Sequence, residues 1–81
     1  MYTRSVTIRK VSQSYDIPEL VQLACSFKSV LKIRNNEGEF NAKSIMGIMA
    51  FNPTPGSNIQ ILANGEDESE AVESLSKFLS D

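Results

Sequence analysis

Two spacings of apolar residues interleave along this chain of 81 residues, and together they leave few folds open. In YTRSVTIRK, residues 2–10, Tyr2, Arg4, Val6, Ile8 and Lys10 share one face, and Thr3, Ser5, Thr7 and Arg9 the other. Period two with β-branched residues predicts a strand. VSQSY follows as a polar loop. DIPEL then opens a helix, with Asp16 as N-cap and Glu19 at the third helical position, a capping box with Asp in the Ser/Thr role. Pro18 fits the first turn, where its missing N–H costs nothing. Leu20, Leu23, Ala24 and Phe27 recur at helical spacing as an apolar stripe. The helix is expected to end near Lys28, a cation suited to the negative end of the helix dipole.

The period returns to two at SVLKIRN, where Val30, Lys32 and Arg34 alternate with Leu31, Ile33 and Asn35. NNEG reads as a turn with Gly38 at the position needing positive φ. EFNA is a short third strand, so residues 30–42 form a hairpin. Residues 44–51 predict a short helix that Ser44 caps or begins. Gly47 inside it signals close backbone packing. Pro53 and Pro55 exclude further helix, and Gly56 makes the turn. IQILAN, residues 59–64, is a fourth strand. The last helix follows Gly65, with Asp67 and Glu70 as a second capping box, acidic residues in its positive first turn, and a stripe of Val72, Leu75, Phe78 and Leu79. The order β-α-β-β-α-β-α predicts a single α+β domain over residues 1–81. It is a two-layer sandwich of one four-stranded sheet with helices on one face.

Composition removes several function classes. A net charge of −2 lacks the basic excess of a general nucleic-acid binder. No run of about 18 apolar residues predicts a transmembrane helix. The N-terminal MYTRSVTIRK has no apolar core of signal-peptide length, so a cytoplasmic location is expected. One cysteine, Cys25, forms no internal disulfide and is too few for a zinc site. The sequence contains no histidine, the commonest general base and metal ligand. Its four glycines are too scattered for a nucleotide-binding loop. The chain is therefore expected to be no enzyme, with no cofactor and no metal. The acidic run Glu66 to Glu70 reads as capping and solubility, since a calcium loop needs other spacing.

The stretch NAKSIMG, residues 41–47, is the informative one. Lys43 and Ser44 stand before Ile45, Met46 and, a turn later, Met49. A serine there is among the preferred helix caps. Beside exposed apolar side chains it also suits a regulatory switch. Ile45 and Met46 lie about 100° apart around a helix and cannot both face one sheet. Met46 and Met49, with Ile45, are therefore expected to form a partly exposed patch. Phe51 reads as packing at the helix end.

The words FKS at 27–29, NAKSIMG, IM at 48–49, Gly56 and ANGEDESEA at 63–71 resemble, in order and spacing, the HPr family. This family comprises the phosphocarriers of the bacterial sugar phosphotransferase system and their regulatory relatives. The resemblance runs from residue 5 to 79 and is most specific from 27 onward. It implies an open-faced sandwich, a four-stranded antiparallel sheet with three helices on one face. The family carries phosphate on a histidine in Gly-Leu-His-Ala-Arg-Pro. Counted back from Ser44, the corresponding stretch is VSQSYD, with Gln13 at the histidine place and Tyr15 at the arginine place. An amide forms no labile phosphoryl link, and a phenol supplies no guanidinium clamp. The resemblance therefore implies no histidine phosphocarrier activity. In type it is nearest to the catabolite-repression members that also have glutamine there.

The second family site is kept. Ser44 matches the serine that a bifunctional HPr kinase/phosphorylase modifies in Gram-positive-type members. Lys43, Ile45, Met46, Met49 and Phe51 stand where the family docks partners, which include a LacI-type regulator and phosphotransferase-system proteins. Methionine suits a surface with several partners. Two other readings stay open. One is a decayed carrier that binds carrier partners without transferring phosphate. The other is a structural role, a homodimer formed by exchange of strand 2–10. Neither direct nucleic-acid nor membrane binding is expected.

Overall fold

The computed structural model describes residues 2–9, 16–51 and 56–80. Its elements are β1 (Tyr2–Thr7), α1 (Asp16–Cys25), β2 (Val30–Asn35), β3 (Gly38–Asn41), α2 (Ile45–Phe51), β4 (Asn58–Asn64) and α3 (Glu68–Ser80). The strands form one sheet in the order β1-β4-β2-β3, every neighbour antiparallel. The expected α+β sandwich, with its β-α-β-β-α-β-α order, is the observed one.

Alternation along the strands decides which face is covered. Leu31 and Ile33 of β2 and Ile59, Ile61 and Ala63 of β4 are buried, as are Val6 of β1 and Ile8 just beyond it. Against them pack Leu20 and Ala24 of α1, Ile48 and Phe51 of α2, and Val72, Leu75 and Leu79 of α3. Burying each large aliphatic side chain is worth about 1.5–3 kcal/mol. The register fixes the face of every residue: Ile33 faces Ile61 across the pair, and a one-residue slip of β2 would turn Leu31 and Ile33 into solvent. The other face is open. There Arg34 pairs with Glu39, its direct cross-strand neighbour, at 2.5 Å, and Lys32 stands 3.9 Å from the same carboxylate. The Arg34 guanidinium, by hydrogen bond and by charge, holds the Glu39 carboxyl below its usual range.

Several boundaries differ from the sequence reading. α1 ends at Cys25 instead of near Lys28. Its last carbonyls accept from nearer residues, Leu23 from the Ser26 N–H at 3.1 Å and Ala24 from the Phe27 N–H at 3.2 Å. The Lys28 and Ser29 N–H groups are taken by the Asp67 carboxylate, each at 2.9 Å. A distant acceptor has thus claimed donors that would have extended the helix. α1 begins at Asp16 itself. β1 ends at Thr7 where the reading ran to Lys10, and Lys10 lies outside the described residues, as do Pro53 and Pro55. β3 spans Gly38–Asn41, one residue earlier than EFNA, with Gly38 at φ +147° as the turn required.

The second capping box is also displaced. Asp67 was expected to cap α3 with Glu70. Its carboxylate instead crosses to residues 28 and 29, and Glu68 Oε1 accepts the Gly65 N–H at 3.3 Å. The reciprocal contact therefore spans residues 65 and 68.

Candidate functional site

The site grows from a tight corner after β3. Asn41 turns the chain twice: its Oδ1 accepts the Lys43 N–H at 2.9 Å, and its carbonyl accepts the Ser44 N–H at 3.1 Å. Such local Asx bonding is why asparagine favours turns. α2 then packs its start against this corner. A Cβ on Gly47 would lie 3.1 Å from the Asn41 carbonyl oxygen, so the glycine permits the approach its sequence position suggested.

Ser44 is the N-cap. Its Oγ accepts the Gly47 N–H at 3.1 Å and its carbonyl accepts the Ile48 N–H at 3.0 Å. The hydroxyl accepts in this bond, so its own proton is left available. Among the described residues no carboxylate bonds to it. Among the described residues Ser44 thus lacks the adjacent carboxylate base that a self-activated nucleophile would need.

α2 is divided by its period. Ile48 and Phe51, three apart, face the core. Ile45, Met46 and Met49 face outward with 45%, 79% and 61% of their surface exposed. Ile45 with Met49, and Met46 with Met49, sit at the i,i+4 and i,i+3 spacings that make neighbours on a helix. Their exposure is the one expected from the sequence.

Two residues expected among the contacts have structural roles as well. Phe51 is 6% exposed and packs its ring 5.6 Å from that of Phe40, so it supports the patch from beneath. Lys43 is half-buried, and its Nζ donates to the Phe27 carbonyl at 2.8 Å. Its ammonium thereby answers an unpaired carbonyl just past the end of α1, the role expected of Lys28. Cys25 lies beside it, its Sγ 3.7 Å from the Lys43 carbonyl oxygen. Gln13 and Tyr15 lie outside the described residues.

The pair that the sequence reading missed is Ser29 with Asp67. Ser29 is 1% exposed, and its Oγ donates to the Asp67 carboxylate at 2.5 Å. That bond, followed by those from the Lys28 and Ser29 N–H groups, pulls the Asp67 carboxyl down to about 2. Among the described residues no cluster of three His, Cys, Asp or Glu side chains could hold a metal ion, and no helix is long and apolar enough to cross a membrane.

Comparison with known proteins gives a consistent picture. Residues 17–81 match the PTS-HPr family, described as the PTS HPr component phosphorylation site. The chain is 39% identical to HPr-like protein Crh of Bacillus subtilis (strain 168) over 59 residues, 73% of this chain and 69% of that protein. It is 36% identical to the phosphocarrier protein HPr of Lysinibacillus sphaericus over 63 residues, 78% of this chain and 72% of that one. The crystal structure of phosphocarrier protein HPr from Bacillus anthracis superimposes with a TM-score of 0.93 at 32% identity, covering 98% of this chain and 96% of that one. A crystal structure of Bacillus subtilis Crh, described as a swapped-domain dimer, gives 0.76 at 34% identity, covering 96% and 92%.

Proposed function

The chain belongs to the HPr family, and from that premise we propose that it is a regulatory binding member: it does not carry phosphate on a histidine, and Ser44 is its phosphorylation site. The family consists of phosphocarriers rather than enzymes, and its members interact with phosphotransferase-system proteins. The absence of histidine from all 81 residues argues against the carrier step in this chain. The observation that carries the reading is the Ser44 hydroxyl at the head of α2, flanked by exposed Ile45, Met46 and Met49.

Phosphate on Ser44 would bring a charge of about −1.5 to −2 to the start of α2, where free N–H groups and the positive dipole end favour it. The fold would be kept and the surface changed, with a dianion beside three apolar side chains. A partner would then read apolar contacts and charge together. Carbon catabolite control through a LacI-type regulator is the role this predicts, supported by the likeness to Crh proteins. The experiment is intact mass after incubation with an HPr kinase/phosphorylase and ATP, with Ser44→Ala alongside. A gain of one phosphate, absent from the variant, is expected. No gain would reduce Ser44 to a helix cap.

A homodimer is a second reading. It is supported by the dimeric Crh and HPr structures among the relatives and by the position of β1 at a sheet edge. Light scattering over a range of concentrations tests it.

A further inference from the structure

Among the described residues, β1 has a strand neighbour on one side only, β4. Beyond its other edge, beside α3, lies an open trough of about 440 Å³ that Arg4, Val6, Arg9, Ser76 and Ser80 help to line. One end is tied, since the Arg9 N–H donates to the Leu79 carbonyl at 2.8 Å. The volume is many times the ~30 Å³ of one water, so the trough has room for a chain segment.

Three features of the trough limit what fills it. A six-residue edge strand presents backbone donors and acceptors to any extended chain that lies alongside. Arg4 and Arg9 are exposed, and among the described residues neither guanidinium has a hydrogen-bond or ion-pair partner. Ser76, by contrast, is 6% exposed, and among the described residues its buried Oγ has no hydrogen-bond partner. That oxygen presents no surface to the trough, so recognition there falls to the strand edge and the arginines.

The spacing of the arginines separates a peptide from a small anion. Five residues of extended chain span up to about 17 Å, so Arg4 and Arg9 bracket a length of strand instead of closing on one phosphate. Their sign also discriminates. A second β1 laid against the first would bring arginine towards arginine, and like charges across a strand pair repel. Exchange of β1 between copies would rebuild the same β1–β4 pairing and leave this edge free.

We propose that the trough between the free edge of β1 and α3 takes an extended acidic segment of a partner protein as a fifth strand. This surface is distinct from the α2 patch and does not depend on Ser44. Arg4 and Arg9 lie on opposite faces of the strand, so the test is a titration of the ¹⁵N-labelled full chain with a blocked eight-residue peptide, Thr-Glu-Glu-Thr repeated twice, which carries Glu on both faces, followed by amide shifts. A peptide with Lys in place of Glu is the control. Saturable shifts are expected in residues 4–9 and 76–80. Binding should be at least tenfold weaker for the Lys peptide and for the Arg4→Gln, Arg9→Gln double variant. No saturable shift, equal binding of the two peptides, or shifts centred on Met46 and Met49 or on β3 would overturn the proposal. So would concentration-dependent shifts of these amides without peptide, which would assign the edge to a second copy. The two-peptide comparison uses the unaltered chain, so it decides the matter even if the arginine variants fold poorly.

Discussion

Ser29 and Asp67, 38 residues apart, are joined by two hydrogen bonds, from the serine hydroxyl and from its backbone N–H. With the third bond from the Lys28 N–H, they fasten the loop after α1 to the head of α3. The serine is buried and the carboxylate accepts three donors, an arrangement that favours the charged form.

Stability should therefore depend on pH in a defined window. The Asp67 carboxyl lies at about 2 in the folded chain against an ordinary value of 3.8. A lowered folded value means that the unfolded chain binds more protons there, so stability rises with pH through that interval. The contribution is complete above the unfolded value and is lost as pH falls from about 4 towards 2. Asp67→Asn should unfold at lower urea than the parent at pH 7 and should lose this part of the acid slope. Urea midpoints at pH 7, 4 and 3 for both proteins check it. Parallel slopes would mean that the carboxylate is not the group responsible.

Gly65 is the neighbour that allows this fastening. A Cβ there would lie 2.6 Å from both the Cα and the Oγ of Ser29, and φ is +157°. Gly65→Ala should cost about 1–3 kcal/mol, the usual range for forcing an extra carbon into a packed site. Gly38→Ala meets nothing within 4 Å and pays only for its backbone conformation. Chemical denaturation of the two variants compares them, and an equal or smaller loss at residue 65 would contradict the close approach.

Much of this was legible in the sequence because it is periodic. Leu31 and Ile33 alternate with exposed Lys32 and Arg34, and period two assigns their faces without knowledge of the fold. Ile45, Met46 and Met49 were legible because a short helix has room for only one inward face. What failed was long-range. Lys28 looked like the end of α1 and Asp67 like a local cap, since each suits its helix taken alone. In the fold the Asp67 carboxylate accepts the Lys28 N–H, and the Lys43 ammonium answers the Phe27 carbonyl. A hydrogen bond between residues 39 apart leaves no period to detect.

Ser44 has a structural value separable from its proposed modification. Its Oγ satisfies the Gly47 N–H, and replacing a serine cap by alanine usually costs about 1 kcal/mol. Ser44→Ala should show that loss in urea. Ser44→Asp should not, because an aspartate caps as well and its charge suits the dipole. Equal destabilisation of both variants would mean that the hydroxyl is packed rather than capping.

The two faces of α2 should respond oppositely to truncation. Met46 and Met49 are largely exposed, and removing an exposed side chain usually changes stability by no more than about 0.5 kcal/mol. Ile48 is fully buried between them in sequence, and Ile48→Ala should cost about 2–5 kcal/mol. If the outward face is where a kinase or regulator docks, Met46→Ala and Met49→Ala should raise the KM of an HPr kinase/phosphorylase for the chain while melting as the parent does. Each buried methionine contributes about 1.5–3 kcal/mol in a dry contact, so the rise should be at least tenfold. Phosphorylation kinetics and thermal melts of the same preparations separate the two effects. An unchanged KM with unchanged stability would leave the patch without a role in recognition by the kinase, and Ser44 would then be read through the corner at Asn41 alone.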